Sequence, residues 1–381
     1  MTVNIQELSN HSYIDHELSA NLDSTDAFEG PEKLLEIWFY PTIKSIPNGK
    51  SLLSIDISQW VEMLKLVKCE ILSMKQTSKM NFFLLSESSM FVYDHRITLK
   101  TCGTTTTLFC LPKLFEIISA NLQWDLKIVQ NGKEVYNPYK VFYSRRSFMF
   151  PDKQKPIHRN WRDEVEYLNK FFINGSSFLV GKNAEDKSHW NLYITETNRE
   201  LKTVEDSDVE VNDHEDETLE ILMTGLDQEQ AKKFFHKHSP KEDEGHINGF
   251  QMTKDTKIDE IYENYCAQSI HHDAFAFTPC GYSSNIIIDE EFYYTLHVTP
   301  EKGWSYASFE SNVQYDNSWE VMGNVLDIFQ PSEFCLTFFN KKTNGKLRTF
   351  RDDEPLPGYK KMDRIVYDLD DYQLLYVRYR K

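Results

Sequence analysis

The 381-residue sequence has none of the short patterns that usually mark a bound cofactor or a familiar reaction. There is no G-x-G-x-x-G behind a strand, no Walker loop and no H-E-x-x-H, which removes the common dinucleotide, nucleotide and zinc-protease readings. Six cysteines (Cys69, Cys102, Cys110, Cys266, Cys280, Cys335) are scattered without a C-x-x-C pair. They are expected to be free thiols in a reducing compartment rather than a disulfide framework. His236/His238 and His271/His272 lack a Cys or carboxylate at zinc-site spacing, so no metal is expected. No apolar run approaches the roughly 20 residues that span a bilayer, and the first 25 residues lack the apolar stretch of a signal peptide. A soluble, cytoplasmic protein is expected. Basic residues are outnumbered, 42 against 59 acidic, for a net charge of −17. That argues against nucleic acid or an anionic membrane as partner and is compatible with cationic ligands.

What is present is a strand-rich, aromatic-rich texture from Phe28 onward, after a polar leader over 1–25. Strands are expected at Lys33–Phe39, Glu70–Met74, Asn81–Tyr93, Ile97–Cys102, Lys127–Val129 and Lys140–Phe148. In the second half they are expected at Thr218–Met223, Phe275–Gly281, Phe292–Val298, Trp304–Phe309 and Glu333–Asn340. Helical spacing appears at Trp60/Leu64/Val67, Leu108/Leu111/Phe115/Ile118 and Trp161/Val165/Leu168/Phe172, and again near Asp227–His238 and Ser318–Phe329. Strands outnumber helices and several follow short turns, which favours antiparallel sheets with helices packed outside. LLEIWF (34–39) and LEILM (219–223) each place a Leu-Glu strand before a helix, hinting at an internal duplication. Residues 205–217 and 239–260 read as charged, exposed inserts. No Pro/Gly linker separates the halves, so 26–381 reads as a single composite domain.

Three segments carry the chemistry. Leu84-Leu85-Ser86-Glu87-Ser88-Ser89-Met90 is a polar island inside an apolar strand. Lys100-Thr101-Cys102-Gly103-Thr104-Thr105 spans the end of a strand and the approach to a helix. Phe277-Thr278-Pro279-Cys280-Gly281-Tyr282-Ser283 is followed by Leu296-His297-Val298-Thr299-Pro300-Glu301. Taken singly, each is ordinary: serines paired with backbone groups, threonine caps, a buried thiol, a core histidine.

Taken together, with Phe28-Glu29-Gly30-Pro31-Glu32-Lys33-Leu34-Leu35-Glu36 upstream, they resemble the eukaryotic S-adenosylmethionine decarboxylase proenzymes, which depend on a pyruvoyl group. The resemblance runs from about Phe28 to the C-terminus. It takes in Phe142-Tyr143-Ser144-Arg145-Arg146, His158-Arg159-Asn160 and Asp216-Glu217-Thr218-Leu219-Glu220-Ile221-Leu222-Met223. Pro31 departs from the animal-type motif, which usually has Thr there. The implied fold is α+β, a four-layer αββα sandwich of two antiparallel sheets with helices on the outer faces.

The implied activity is removal of CO₂ from S-adenosylmethionine, giving the aminopropyl donor for spermidine and spermine. A ketone next to an amide can form a Schiff base with the substrate amine and act as electron sink. The resemblance makes Ser88 the source of that ketone, after self-cleavage between Glu87 and Ser88 into chains 1–87 and 88–381. Ser88 Oγ attacks the Glu87 carbonyl to give an ester. His297 removes the Ser88 Cα proton, and Ser283 donates to the oxygen-rich intermediate. In the mature enzyme Cys102 becomes the acid that protonates the substrate carbon, a task suited to a thiol with pKa about 8.5. Phe28 and Phe277 are assigned to the adenine, Glu301 to the ribose and Glu87 to a position beside the adenine. Glu29 and Glu32 are assigned as catalytic carboxylates near the reacting amine.

A second constellation resembles the family's acidic site for putrescine, an activator. Its members are Asp216, Glu220, Glu310 and Glu36, with Lys100, Thr218, Phe142, Phe339 and Tyr372. Buried carboxylates around one lysine need a compensating cation, which a diamine supplies. A homodimer of processed units is compatible with the resemblance. A non-catalytic paralogue that activates a true decarboxylase is the alternative, and it would have lost Ser88, His297 or Cys102; all three are present.

Overall fold

The structure is a computed structural model and describes residues 28–181, 189–201, 216–236, 242–342 and 355–381, without the side chains of 242–244. The leader and residues 205–215 of the first expected insert lie outside the described residues. The chain divides into two compact units, Met1–Val211 and Asn212–Lys381, where the sequence reads as one composite domain. No described helix is long and apolar enough to cross a membrane.

The first unit is built on an eight-stranded sheet of β1 (Lys33–Trp38), β2 (Ile71–Gln76), β3 (Met80–Leu85), β4 (Ser88–Tyr93), β5 (Arg96–Thr101), β8 (Lys140–Arg146), β9 (Gly175–Val180) and β10 (Trp190–Thr195). Strands β6 (Lys127–Gln130) and β7 (Lys133–Tyr136) form a separate two-stranded ribbon. The sheet order is β2-β3-β4-β5-β1-β8-β10-β9, antiparallel throughout. Period-two alternation sends Leu35 and Ile37 of β1, Leu99 of β5 and Val141 and Tyr143 of β8 to one face. There they share a core with Trp60 and Leu64 of α1 (Ile57–Val67) and with Leu111 and Phe115 of α2 (Cys110–Leu122). The Asp56 side chain accepts the Ser58 N–H at 2.9 Å to cap α1, and Lys68 in the left-handed region ends it. The short α3 (Trp161–Leu168) starts in the same way, with Asn160 accepting the Asp163 N–H. The opposite face is also buried but polar, with Thr98, Lys100 and Ser144 almost fully enclosed.

In the second unit the strands are β11 (Glu217–Thr224), β12 (Ile270–Ala276), β13 (Tyr282–Ile288), β14 (Phe292–Thr299), β15 (Tyr306–Ser311), β16 (Glu333–Lys341), β17 (Lys360–Asp368) and β18 (Tyr372–Arg380). Their order is β12-β13-β14-β15-β11-β16-β18-β17. Matching β11 to β1 makes the two orders coincide strand for strand, once the β6–β7 ribbon is set aside. The matched strands place Glu36 opposite Thr98 and Glu220 opposite Glu310. The hint from the two Leu-Glu strands is therefore a duplication of topology. Leu219, Ile221 and Met223 share the apolar core with Val321, Val325 and Phe329 of α6 (Ser318–Phe329). The helical expectation at Asp227–His238 reduces to α4 (Gln228–Ala231) and a short 3₁₀ turn at Lys232–Phe234.

Three further expectations change. Asn81–Tyr93 is two strands, because Leu85 pairs with Ser88 across a turn at Ser86-Glu87. The strand expected at Phe275–Gly281 ends at Ala276, leaving 277–281 as a loop. The stretch 239–260, expected as an exposed insert, carries α5 (Glu242–Thr256), whose Met252 and Thr253 are buried together with Ile258 beyond it. Gly249 is the reason it packs: a Cβ there would lie 2.5 Å from the Phe275 nitrogen of β12.

Candidate active site

The polar island of the first unit folds into a hairpin whose strain falls on one residue. Two-residue hairpins favour primed turns, with φ > 0 inside the turn and usually Gly or Asn there. Ser86 and Glu87 are not among the positive-φ residues; Ser88 is, at φ 132. A non-glycine residue held there costs about 1–3 kcal/mol, a strain that clusters at functional sites. Ser88 is 1% exposed and its Oγ has no hydrogen-bond partner among the described residues. Buried hydroxyls are normally satisfied.

The turn is held on both sides. The Ser86 N–H donates to Glu70 O at 2.9 Å, and the Ser86 hydroxyl accepts the Glu70 N–H at 3.0 Å. On the other side the Glu87 carbonyl accepts the Cys102 N–H at 2.9 Å and the Cys102 thiol at 3.3 Å. Two donors on one carbonyl polarise it and are placed to hold charge on its oxygen if a nucleophile adds. Next to Cys102, Gly103 sits at φ +60; a Cβ there would be 2.9 Å from Glu87 Oε2 and 3.0 Å from the Phe28 ring. The structure thus brings Phe28, Glu87, Ser88, Cys102 and Gly103 into one neighbourhood.

Glu29, expected as a catalytic carboxylate, is held by backbone donors. Both of its carboxylate oxygens accept backbone N–H groups, Met149 at 2.7 Å and Phe150 at 2.6 Å, so it ties the segment before β1 to the 149–150 loop. Burial pushes its pKa up despite these bonds. Glu32 is buried nearby in sequence.

Sequence reasoning missed a buried charge network beside this site. Lys33 is fully buried and donates to Gly103 O at 3.2 Å, an oxygen that also accepts Gln154 Nε2 at 3.1 Å. Arg145 Nε donates to Glu164 Oε2 at 2.6 Å; Tyr143 OH and His158 Nδ1 lie 2.6 and 2.7 Å from Glu164 Oε1. Burial lowers the His158 pKa to about 4, with Glu164 opposing the shift, so the imidazole is neutral at pH 7 and donates from Nδ1. A signal for Lys33 was present: it shares the Leu35/Ile37 face of β1, where a lysine must be paired.

In the second unit Ser283 of β13 lies directly opposite His297 of β14, and Ser283 Oγ is 2.9 Å from His297 Nδ1. Thr295 Oγ1 is 3.0 Å from Nε2 and is also within reach of Ser284 O and Asn285 Oδ1. A threonine hydroxyl with one proton and two acceptors in reach receives the third contact, so Nε2 carries the proton. The Nδ1 lone pair then faces the Ser283 hydroxyl. Phe277 follows β12 and packs on Phe275, ring centroids 5.0 Å apart. Glu301, in the loop after β14, has its pKa raised by burial.

The expected effector residues split between the units. Glu36, Lys100 and Phe142 lie on the polar face of the first sheet; Glu36 pairs with Trp38 Nε1 and lies 4.0 Å from Arg96. In the second sheet Glu220 and Glu310 are direct cross-strand partners. Tyr293 OH donates to Glu310 at 2.7 Å and Thr337 to Glu220 at 3.4 Å. Tyr372 OH donates to Asp216 at 2.6 Å and stacks on Phe339 at 4.7 Å, with Phe339 opposite Thr218. Among the described residues no group of three or more His, Cys, Asp or Glu is arranged to hold a metal ion.

Comparison with known proteins was made against this geometry. The family described as adenosylmethionine decarboxylase matches residues 25–380. The S-adenosylmethionine decarboxylase proenzyme of Saccharomyces cerevisiae is 57% identical over 404 residues, covering 100% of each chain. That of Xenopus laevis is 35% identical, covering 93% of this chain and 95% of its own. Among solved structures, the Trypanosoma brucei AdoMetDC-delta26 monomer matches in fold, with TM-score 0.53 and 24% identity, covering 77% of this chain and 98% of that one. With the family matched across nearly its whole length, this chain belongs to the adenosylmethionine decarboxylase family.

Proposed function

We propose that the chain is a proenzyme that cleaves itself between Glu87 and Ser88, and that the processed protein decarboxylates S-adenosylmethionine. The product would serve as aminopropyl donor in spermidine and spermine synthesis. The observation that carries the self-processing reading is Ser88 itself: a buried hydroxyl without a partner among the described residues, on a backbone at φ 132, following a carbonyl that accepts two Cys102 donors.

Each residue then has a chemical task. Ser88 Oγ adds to the Glu87 carbonyl, and the Cys102 N–H and thiol stabilise the oxyanion. Collapse breaks the Glu87–Ser88 amide and leaves an ester, relieving the strained backbone. His297, its Nδ1 lone pair made available when Ser283 turns its hydroxyl to the intermediate, takes the Ser88 Cα proton as the ester is eliminated. The dehydroalanine left by elimination tautomerises to an imine, takes up water and releases ammonia, and the pyruvoyl group so formed would supply a ketone as electron sink for decarboxylation. Cys102 protonates the carbon that has lost CO₂, Phe28 and Phe277 hold the adenine, and Glu301 binds the ribose hydroxyls. Glu29 and Glu32 are the carboxylates assigned to the reacting amine, with Glu29 oriented by its two backbone bonds. Asp216, Glu220, Glu310 and Glu36, with Lys100, Thr218, Phe142, Phe339 and Tyr372, are assigned to putrescine as activator.

The test is twofold. Purified protein should release labelled CO₂ from carboxyl-labelled S-adenosylmethionine. His297→Ala should stop after the ester, because attack needs only the Ser88 hydroxyl while elimination needs a base. Hydroxylamine should then split the stalled protein between residues 87 and 88. Normal conversion of this variant to two chains would remove His297 from the mechanism.

A further inference from the structure

Cys102 has two tasks, holding the Glu87 oxyanion and then protonating one particular carbon, and both depend on where its sulfur sits. The peptide planes on either side of Cys102 are fixed locally. Its N–H is bound to Glu87 O at 2.9 Å, its carbonyl accepts the Thr105 hydroxyl at 2.7 Å, and the Gly103 N–H donates to Glu29 O at 2.9 Å. The next plane turns at Gly103, at φ +60, where no side chain fits: a Cβ would meet Glu87 Oε2 at 2.9 Å. Glycine is the most permissive backbone position. The close approach that the site needs therefore leaves the chain free to pivot one residue beyond the thiol.

We propose that Gln154 removes this freedom and is a positioning residue for Cys102, clamping the Gly103 carbonyl from the loop after β8. The inference rests on the role of Cys102 above and deepens it. Gln154 Nε2 donates to Gly103 O at 3.1 Å across 51 positions of sequence. The same oxygen accepts Lys33 Nζ at 3.2 Å, but an ammonium on a flexible four-carbon stem sets a distance rather than an orientation. The Gln154 carboxamide is planar, and its backbone is pinned on both sides. Its N–H donates to Pro151 O at 3.1 Å, and its carbonyl accepts Arg159 Nε at 3.0 Å. Glu29 closes the ring: its carboxylate accepts the Met149 and Phe150 N–H groups of the same loop, and its carbonyl accepts that of Gly103.

Gln154 is 1% exposed, and its Oε1 has no partner among the described residues. A buried acceptor left unpaired is destabilising, a cost that an apolar side chain filling the same space would avoid. The amide is there for its donor.

The test uses processed enzyme carrying Gln154→Met, which keeps the length of the side chain and loses the donor. Protonation of the carbon that has lost CO₂ gives the product. Protonation of the pyruvoyl-derived carbon instead, followed by hydrolysis with one water, releases an aldehyde and leaves the large chain with an alanyl end. Mass of the large chain therefore counts misdirected turnovers against labelled CO₂ released. In Gln154→Met, kcat should fall by about tenfold or more with KM changed by less than about twofold. Alanyl ends per CO₂ should rise by about tenfold or more. Asn160→Ala removes the cap of α3, whose Oδ1 accepts the Asp163 N–H, and loosens the same region without touching Gly103; its alanyl count should stay at the wild-type level. A wild-type count in Gln154→Met, or an equal rise in Asn160→Ala, overturns the proposal. Should Gln154→Met not process, the same substitution in the uncleaved Ser88→Ala chain decides. Amide hydrogen exchange at Cys102 and Gly103 should then speed by about tenfold or more while that of β8 stays unchanged. Unchanged exchange at Cys102 and Gly103, or loss of the fold, overturns the clamp. Wild-type activity with unaltered chain ends in Cys102→Ala would instead overturn the role of Cys102, and with it the purpose of the clamp.

Discussion

His158 shows how one side chain ties burial to pH. Its pKa is lowered to about 4 by desolvation, with Glu164 opposing and Lys33 and Arg145 reinforcing the shift. A depressed folded-state pKa means that the unfolded chain binds the proton more readily. The associated stability is therefore present above pH 6.5 and is lost as pH falls toward 4, about 3 kcal/mol for a shift of this size. His158→Gln can keep a donor for Glu164 without titrating. Denaturant unfolding from pH 6.5 to 4 should show the variant's stability falling less steeply than wild type, by about one proton's worth of slope. Parallel slopes would mean that His158 is protonated in the folded state. Neither this group nor its Glu164 partner was legible in the sequence as a network, because the pairing depends on burial and on residues 6–21 positions apart. Ser88, Cys102 and His297 were legible only together. A strand serine, a lone thiol and a core histidine each have an ordinary explanation, and only their ordered combination points to one family.

At the scale of elements, the β3–β4 hairpin joins local geometry to chemistry. Ser86-Glu87 is a poor pair for a primed turn, and the positive φ falls instead on Ser88. Replacing the pair (S86N/E87G) supplies residues that accept positive φ and should let Ser88 relax. Self-cleavage of the variant, followed by mass, should slow by about tenfold if the strain is of the usual size. Unchanged cleavage would show that the strain does not contribute. The apolar run from Asn81 to Tyr93 was legible as strand, but the turn was not, since nothing in Ser-Glu announces one. Helix α5 was hidden for a different reason. Its charges mask a packing side that depends on Gly249 and on the backbone of β12, and sequence spacing does not show a close approach. By contrast α6 was read to the residue, because its apolar residues repeat at helical spacing and Asn317 caps it.

Across the whole chain, the duplicated topology distributes the chemistry unevenly. Ser88 opens β4, while His297 lies near the end of the matched strand β14. The two repeats therefore share strand order but not the positions of their reactive groups. The sequence hint of duplication was one Leu-Glu match, because repeats diverge in side chains while strand order persists. The second sheet also carries Glu220 directly opposite Glu310, a pairing that like charges disfavour. A dication would offset that repulsion. Asp216→Asn should cut the stimulation by putrescine by about fivefold or more while leaving self-cleavage intact, measured as decarboxylation rate with and without the diamine. Equal stimulation of variant and wild type would remove Asp216 from the proposed effector site. The most direct measurement is denaturing intact mass of the purified protein beside its Ser88→Ala variant. Wild type should give chains of 87 and 294 residues (381 − 87 = 294), the larger beginning with pyruvoyl, and the variant one chain of 381. A single full-length wild-type chain retaining the Ser88 hydroxyl after prolonged incubation would contradict self-processing.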